Sequence, residues 1–237
     1  MKIKVCGMKL NTAEVAELRP DYLGFIFWEA SPRYFDGTIP SLPKGITKTG
    51  VFVDATINEI LDKVQKYGLD AVQLHGSESP EFCKELRVKS GAARGKSSAA
   101  RGKSSLSTSL EKSAVATSPS ESNPRIIKVF SIKDRFDFSI LEPYEEVCDY
   151  FLFDTKGELP GGNGYAFDWK VLKNYPSTKP FFLSGGIGPG EADSIKAFMQ
   201  RPESKYCHAI DINSRFEMEP GLKYIEKLEN FQKSMRC

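Results

Sequence analysis

Eight short strand-like runs, most of them followed by a helix-like stretch, constrain this sequence more than any other feature. They fall at residues 2–6, 22–27, 49–53, 71–75, 125–130, 151–153, 181–183 and 208–212. Several, such as Tyr22-Leu23-Gly24-Phe25-Ile26-Phe27, are continuously apolar rather than alternating. That is the pattern of strands buried on both faces, as in a parallel sheet. Between the runs, Ile57, Ile60, Leu61, Val64 and Tyr67 recur close to i, i+3, i+4, i+7 and predict an amphipathic helix. Phe82, Leu86 and Val88 predict another from near Pro80. Ile195, Phe198 and Met199 predict one after Pro189, and Leu222, Ile225, Leu228 and Phe231 a last one. A first helix is expected after Asn11, which would cap it, with Glu14 completing a capping box. Alternating strands and helices argue for a parallel sheet. Eight such units over about 200 residues predict an α/β chain folded as a single (β/α)8 TIM barrel. An open doubly wound sheet would carry a glycine-rich turn after its first strand, and Gly7-Met8-Lys9 is not one.

One stretch breaks the rhythm. Residues 89–123, after the fourth helical segment and before the fifth strand, are Ser, Ala, Gly, Lys and Arg with few large apolar side chains. The heptapeptide at residues 92–98 recurs unchanged at 99–105. Such a composition buries too little apolar surface to offset its ordering entropy. A disordered, low-complexity insertion within one domain spanning 1–237 is therefore expected, tolerated because loop-closure cost grows slowly with length. Its Arg-Gly-Lys-Ser repeats imitate a nucleotide loop, but Gly91 to Gly95 leaves three intervening residues where four are required, and no strand precedes them.

The 237 residues carry a net charge of +2, too small to argue for nucleic acid or a membrane surface. No apolar run approaches the ~18 residues of a spanning helix. Met1-Lys2-Ile3-Lys4 leads straight into a strand, so no signal segment is expected. Five cysteines without paired spacing argue against a disulfide framework, and a reduced, cytoplasmic protein is expected. Two histidines with no carboxylate at ligand spacing make no metal site.

In such a barrel the active site lies at the C-terminal ends of the strands. That rule selects Cys6 after the first strand, Arg33 in the turn beyond the second, Gln73 and His75 on the fourth, and Asp154 ending the sixth. It also selects Gly185 and Gly186 after the seventh strand, and Asp211, Asn213, Ser214 and Arg215 at and after the eighth. A thiol and a carboxyl facing one mouth suit proton transfer. Glycines after the seventh strand suit a phosphate held by backbone N–H groups. His208 opens a strand and should lie at the opposite face. Cys83, Cys148, Cys207 and Cys237 are assigned no chemistry.

A set of segments then resembles a known family. Lys4-Val5-Cys6-Gly7-Met8, Gly50-Val51-Phe52-Val53, Val72-Gln73-Leu74-His75-Gly76, Phe153-Asp154-Thr155, Gly161-Gly162-Asn163-Gly164 with Phe167-Asp168-Trp169, and Leu183-Ser184-Gly185-Gly186 occur in the order found in phosphoribosylanthranilate isomerases of tryptophan biosynthesis. The resemblance implies an Amadori rearrangement of N-(5-phosphoribosyl)anthranilate, with no metal or organic cofactor. It implies that Cys6 is the general base, Asp154 the general acid, and Arg33 the partner of the anthranilate carboxylate. A small-molecule substrate and a monomer or homodimer are expected. The family's last phosphate loop runs Asp-x-Ser-Ser-Gly-x-Glu, whereas here Arg215 stands at the glycine, where a left-handed backbone would be strained. Its amide is expected to serve the phosphate and its side chain to add charge. The insertion, in a helix-to-strand loop, is expected to lie away from the mouth. The rival barrel of the same pathway, indole-glycerol-phosphate synthase, uses lysines and glutamates at strand ends that find no match here.

Overall fold

The computed structural model describes residues 1–101, 123–133, 135–155 and 168–236. Eight strands close into one parallel barrel in chain order: β1 Lys2–Val5, β2 Tyr22–Ile26, β3 Thr47–Phe52, β4 Ala71–Leu74, β5 Arg125–Ile132, β6 Tyr150–Thr155, β7 Phe181–Leu183 and β8 Cys207–Ile212. Closure comes from β8 pairing with β1, which sets Lys4 opposite Asp211. The expected (β/α)8 fold is therefore the fold of the chain. Around the barrel run α1 Thr12–Glu17, α2 Ile57–Tyr67, α3 Pro80–Arg101, α4 Ala192–Met199 and α5 Ile225–Arg236. Short 3₁₀ helices at Phe138–Tyr144 and Trp169–Asn174 take the helical places after β5 and β6.

The local reasons are legible. Thr56 caps α2 and Glu59 returns the bond to the Thr56 N–H, a complete capping box, while Gly68 ends the helix left-handed at φ 60°. At α1 the expected box does not form, because Asn11 makes no capping bond there. Its side-chain amide is spent on Lys223 instead, donating to Lys223 O at 2.9 Å and accepting from Lys223 N at 3.0 Å. Two buried backbone groups outcompete one helix-end N–H. Leu222 is also not in the last helix. It lies in a small antiparallel hairpin, β9 Glu217–Glu219 with β10 Leu222–Lys223, turned at Gly221 with φ 88°.

The apolar core is split by the sheet. The larger cluster, including Leu23, Phe25, Phe151, Phe153 and Ile210, packs the outward residues of the strands against the helices. The smaller one, including Tyr22, Ala71, Ile127, Leu152 and Phe182, consists of the alternate, inward residues and plugs the barrel. His208 is at the N-terminal end, as expected, with its ring 2.7 Å from the Tyr22 hydroxyl and packed against Tyr150.

Helix α3 continues to Arg101, past residue 89 where the sequence places the start of the insertion. The low-complexity residues 102–122 lie outside the described residues. A Cβ on Gly91 would lie 3.1 Å from the Asn123 side chain, so positions 91 and 123 stand side by side. Among the described residues no helix is long and apolar enough to cross a membrane.

Candidate active site

The C-terminal ends of the strands surround one cavity. Cys6, Arg33, Gln73, His75, Asp154, Gly185, Gly186, Asp211, Asn213, Ser214 and Arg215 all line it, together with Ile26, Trp28, Val51 and Leu152. Every residue selected from the sequence as a strand-end candidate is thus brought to the same mouth. Gly161-Gly162-Asn163-Gly164 and Phe167 lie outside the described residues.

Cys6 is seated by its neighbours' small size. Its N–H donates to Ile212 O at 2.9 Å, which carries the β1–β8 ladder one residue beyond β1. A Cβ on Gly24 of β2 would be 2.8 Å from its sulfur, so only glycine leaves room there. The chain then turns at Gly7 with φ 74°, where a Cβ would fall 2.5 Å from Asn213 Oδ1 and 2.8 Å from Arg33 Cδ. Burial pushes the Cys6 thiol up, Lys4 pulls it down, Asp211 pushes it up and Lys223 pulls it down, with a net upward direction.

Asp154 is the penultimate residue of β6 and is buried. Burial first, then the negative charge of Asp211, pushes its carboxyl up to about 6, against the lowering pull of the Thr155 N–H, which donates at 2.9 Å. His75 Nε2 is 3.5 Å from Asp154 Oδ2. Burial, Lys4 and Lys128 pull the imidazole down to about 4, so the ring is neutral near pH 7. The pair therefore joins a carboxyl that keeps its proton unusually long to a neutral hydrogen-bonding ring.

At the β7 and β8 end, Gly185 and Gly186 have φ of 89° and 66°. A Cβ on Gly185 would collide with the Thr155 hydroxyl and backbone, so the loop's close approach demands glycine. No acceptor among the described residues takes the N–H of Gly185 or Gly186. The turn Ser214–Phe216 faces this loop, with the Arg215 Cβ 3.0 Å from where a Cβ on Gly188 would stand. Two loops with free amides and one exposed arginine make a cradle for an anion. Arg215 is not left-handed, so the strain expected at that position does not arise. The backbone turns there as a 3₁₀ helix, which any residue can adopt.

Arg33 lines the cavity but is not idle. Its Nε donates to Glu217 Oε1 and Oε2 at 3.0 and 2.9 Å, and Nη2 donates to Oε2 at 2.7 Å. Glu217 also accepts from Lys223 Nζ at 2.8 Å. Lys223 in turn donates to Asn213 Oδ1 at 2.8 Å. The hairpin β9–β10, unseen in the sequence, thus supplies the residues that aim Arg33 and Asn213.

Sequence reasoning also passed over Lys4. Its side chain is wholly buried and donates to Gln73 Oε1 at 2.7 Å and Asp211 Oδ2 at 2.8 Å. Asp211 Oδ1 is buried and takes no hydrogen bond among the described residues, and Asp211 lines the cavity. A signal existed: Lys4 is two residues before Cys6 on one strand, hence on the same inward face.

Comparison with known proteins agrees with the barrel fold. The sequence profile of the family described as N-(5'phosphoribosyl)anthranilate (PRA) isomerase matches residues 2–104 and 109–234. An N-(5'-phosphoribosyl)anthranilate isomerase of Parabacteroides distasonis is 41% identical, covering 98% of this chain and 91% of its own. One from Phocaeicola vulgatus is 37% identical, covering 94% and 92%. The crystal structure of phosphoribosyl anthranilate isomerase from Thermus thermophilus superposes with a TM-score of 0.73 at 23% identity, covering 100% of this chain and 98% of that one. The chain belongs to the N-(5'-phosphoribosyl)anthranilate isomerase family.

Proposed function

We propose that this chain catalyses the Amadori rearrangement of N-(5-phosphoribosyl)anthranilate to 1-(2-carboxyphenylamino)-1-deoxyribulose 5-phosphate in tryptophan biosynthesis, with Asp154 as general acid and Cys6 as general base. The observation that carries the reading is the meeting of these two groups at one mouth, with the Asp154 carboxyl pushed up to about 6. A carboxyl in that range keeps a useful fraction of its proton near neutral pH. It gives that proton to the furanose ring oxygen as the C1–O bond breaks and the nitrogen lone pair closes a C1=N⁺ iminium. The iminium makes the C2 hydrogen acidic. The Cys6 thiolate removes it, and the C–H electrons pass into a C1=C2 enolamine that tautomerises to the ketone. Acid and base each contribute about 10²–10⁴-fold.

The remaining cavity residues bind. Gly185, Gly186, Ser214 and Arg215 hold the phosphate, Gln73, His75, Asp211 and Asn213 meet the sugar, and Arg33 presents its Nη1 side to the anthranilate carboxylate while Glu217 holds the rest of its fork. The reaction as written takes no part from a metal or organic cofactor, and the cytoplasm is the proposed location. The test is the loss of anthranilate-derivative fluorescence on addition of substrate to purified protein. Turnover that disappears in Cys6→Ser and in Asp154→Asn supports the assignment, and undiminished turnover in either variant refutes it for that residue.

A further inference from the structure

We propose that Lys4 is a positioning residue for the Cys6 base: a buried ammonium, fixed by Asp211 and Gln73, that turns its remaining N–H to the sulfur and stabilises the thiolate. The inference rests on the reading of Cys6 as base. An ammonium has three N–H donors and no acceptor. Two are committed, to Gln73 Oε1 at 2.7 Å and Asp211 Oδ2 at 2.8 Å. Cys6 continues β1 two residues beyond Lys4, on the same inward face, and the third donor has no other hydrogen-bond partner among the described residues. The ammonium is wholly buried, and an unpaired charge there would be costly. Asp211 offsets the charge at 2.8 Å, and the third N–H is left for the sulfur.

The charges around the sulfur lead to the same conclusion. From β1 comes Lys4, from β8 Asp211, and from β10 Lys223, while Glu217 and Arg33 complete the network beyond Lys223. Three cations face two carboxylates. On the far wall Asp154 holds its proton up to about pH 6 and His75 is neutral. Lys4 is balanced by Asp211, while Lys223 and Arg33 share Glu217, so the network as a whole holds one positive charge more than it has carboxylates. A thiolate there neutralises it, whereas a thiol does not. Burial opposes ionisation of Cys6 and the net direction is upward even with Lys4 beside it, so removing Lys4 would push the thiol up further.

The test reads the thiol itself. Iodoacetamide alkylation of Cys6 is followed against pH by peptide mass mapping, which separates it from Cys83, Cys148, Cys207 and Cys237. Lys4→Met is expected to move the alkylation inflection upward by about 1–3 pH units, the effect of losing a contacting opposite charge. At pH 8 this slows alkylation roughly tenfold or more. Turnover should fall in kcat with KM little changed. Asp211→Asn keeps Lys4 and removes the competing anion, so its inflection should move downward, and this arm decides the matter if Lys4→Met does not fold. An unchanged inflection in Lys4→Met, or an upward one in Asp211→Asn, overturns the inference while Cys6 stands as base. Full turnover in Cys6→Ser overturns the base itself, and with it any part of Lys4 in turnover, whatever the alkylation shows.

Discussion

Gly24→Ala would press a methyl carbon against the Cys6 sulfur. The new Cβ would sit 2.8 Å from Sγ, 3.1 Å from Cα and 3.3 Å from Cβ of Cys6. Non-bonded carbon contacts settle at about 3.5–4.0 Å, so the sulfur must move by roughly 1 Å. The strands cannot simply part, because β1 and β2 are paired just below, Lys4 with Tyr22 and Val5 with Leu23. The softer response is rotation of the Cys6 side chain, which swings the sulfur off its line to the substrate. A 1 Å misplacement of a reacting group costs about 10²-fold. Overpacking costs about 1–3 kcal/mol, a modest part of the ~5–15 kcal/mol that holds a typical domain folded. The expected variant is therefore folded and slow. Fluorescence turnover gives kcat and KM, and urea unfolding confirms that the barrel is intact. Gly37→Ala is the control, since its methyl would meet Phe35 at an ordinary 3.6 Å. A folded Gly24→Ala chain with kcat within about twofold of the parent would refute the reasoning, because the sulfur's seat would then not matter.

Four further outcomes follow from the same geometry. Asp154→Asn should abolish turnover yet stabilise the chain at pH 7. Folding raises this pKa, so the folded state takes up a proton between the ordinary 3.8 and about 6. Stability is full below that window and falls as pH rises through it, by about 1–3 kcal/mol at neutral pH, and pH-dependent urea melts of the two proteins check the difference. Arg215→Ala should raise KM roughly 2–5-fold with kcat unchanged, the worth of one exposed charge contact, and an unchanged KM would remove the side chain from the phosphate site. Glu217→Gln should raise KM more than it lowers kcat, because Arg33 loses the carboxylate that aims it, and steady-state kinetics read the split. Excising residues 92–122 and joining Gly91 to Asn123 by a short Gly-Ser link should leave turnover intact. Loss of activity in a chain with an unaltered far-ultraviolet dichroism spectrum would show that the insertion serves the site.

The barrel was legible because its strands are buried on both faces, and runs such as Tyr22–Ile26 have few other homes. The strand ends then selected the cavity residues by position alone. What escaped was decided by contacts distant in sequence. Asn11 has the local signature of a helix cap, but its amide answers to Lys223, more than two hundred residues away. Leu222 fits the apolar period of α5, yet the two-residue strand it belongs to is too short to leave a pattern. Lys4, Lys223 and Glu217 were passed over because lysine and glutamate are expected at the surface. Burial is affordable here only because each finds an opposite charge within 2.8 Å.

The paired feet of the insertion, Gly91 and Asn123, bear on how this scaffold tolerates growth. Because they already stand side by side, the barrel barely senses how much chain hangs between them, and each doubling of that length costs only about 0.6 kcal/mol. Lineages can therefore lengthen, shorten or duplicate the intervening text without retuning the catalytic rim. The same spot offers engineers a portal where a passenger domain with neighbouring termini can be spliced in, leaving the host's fold to carry it.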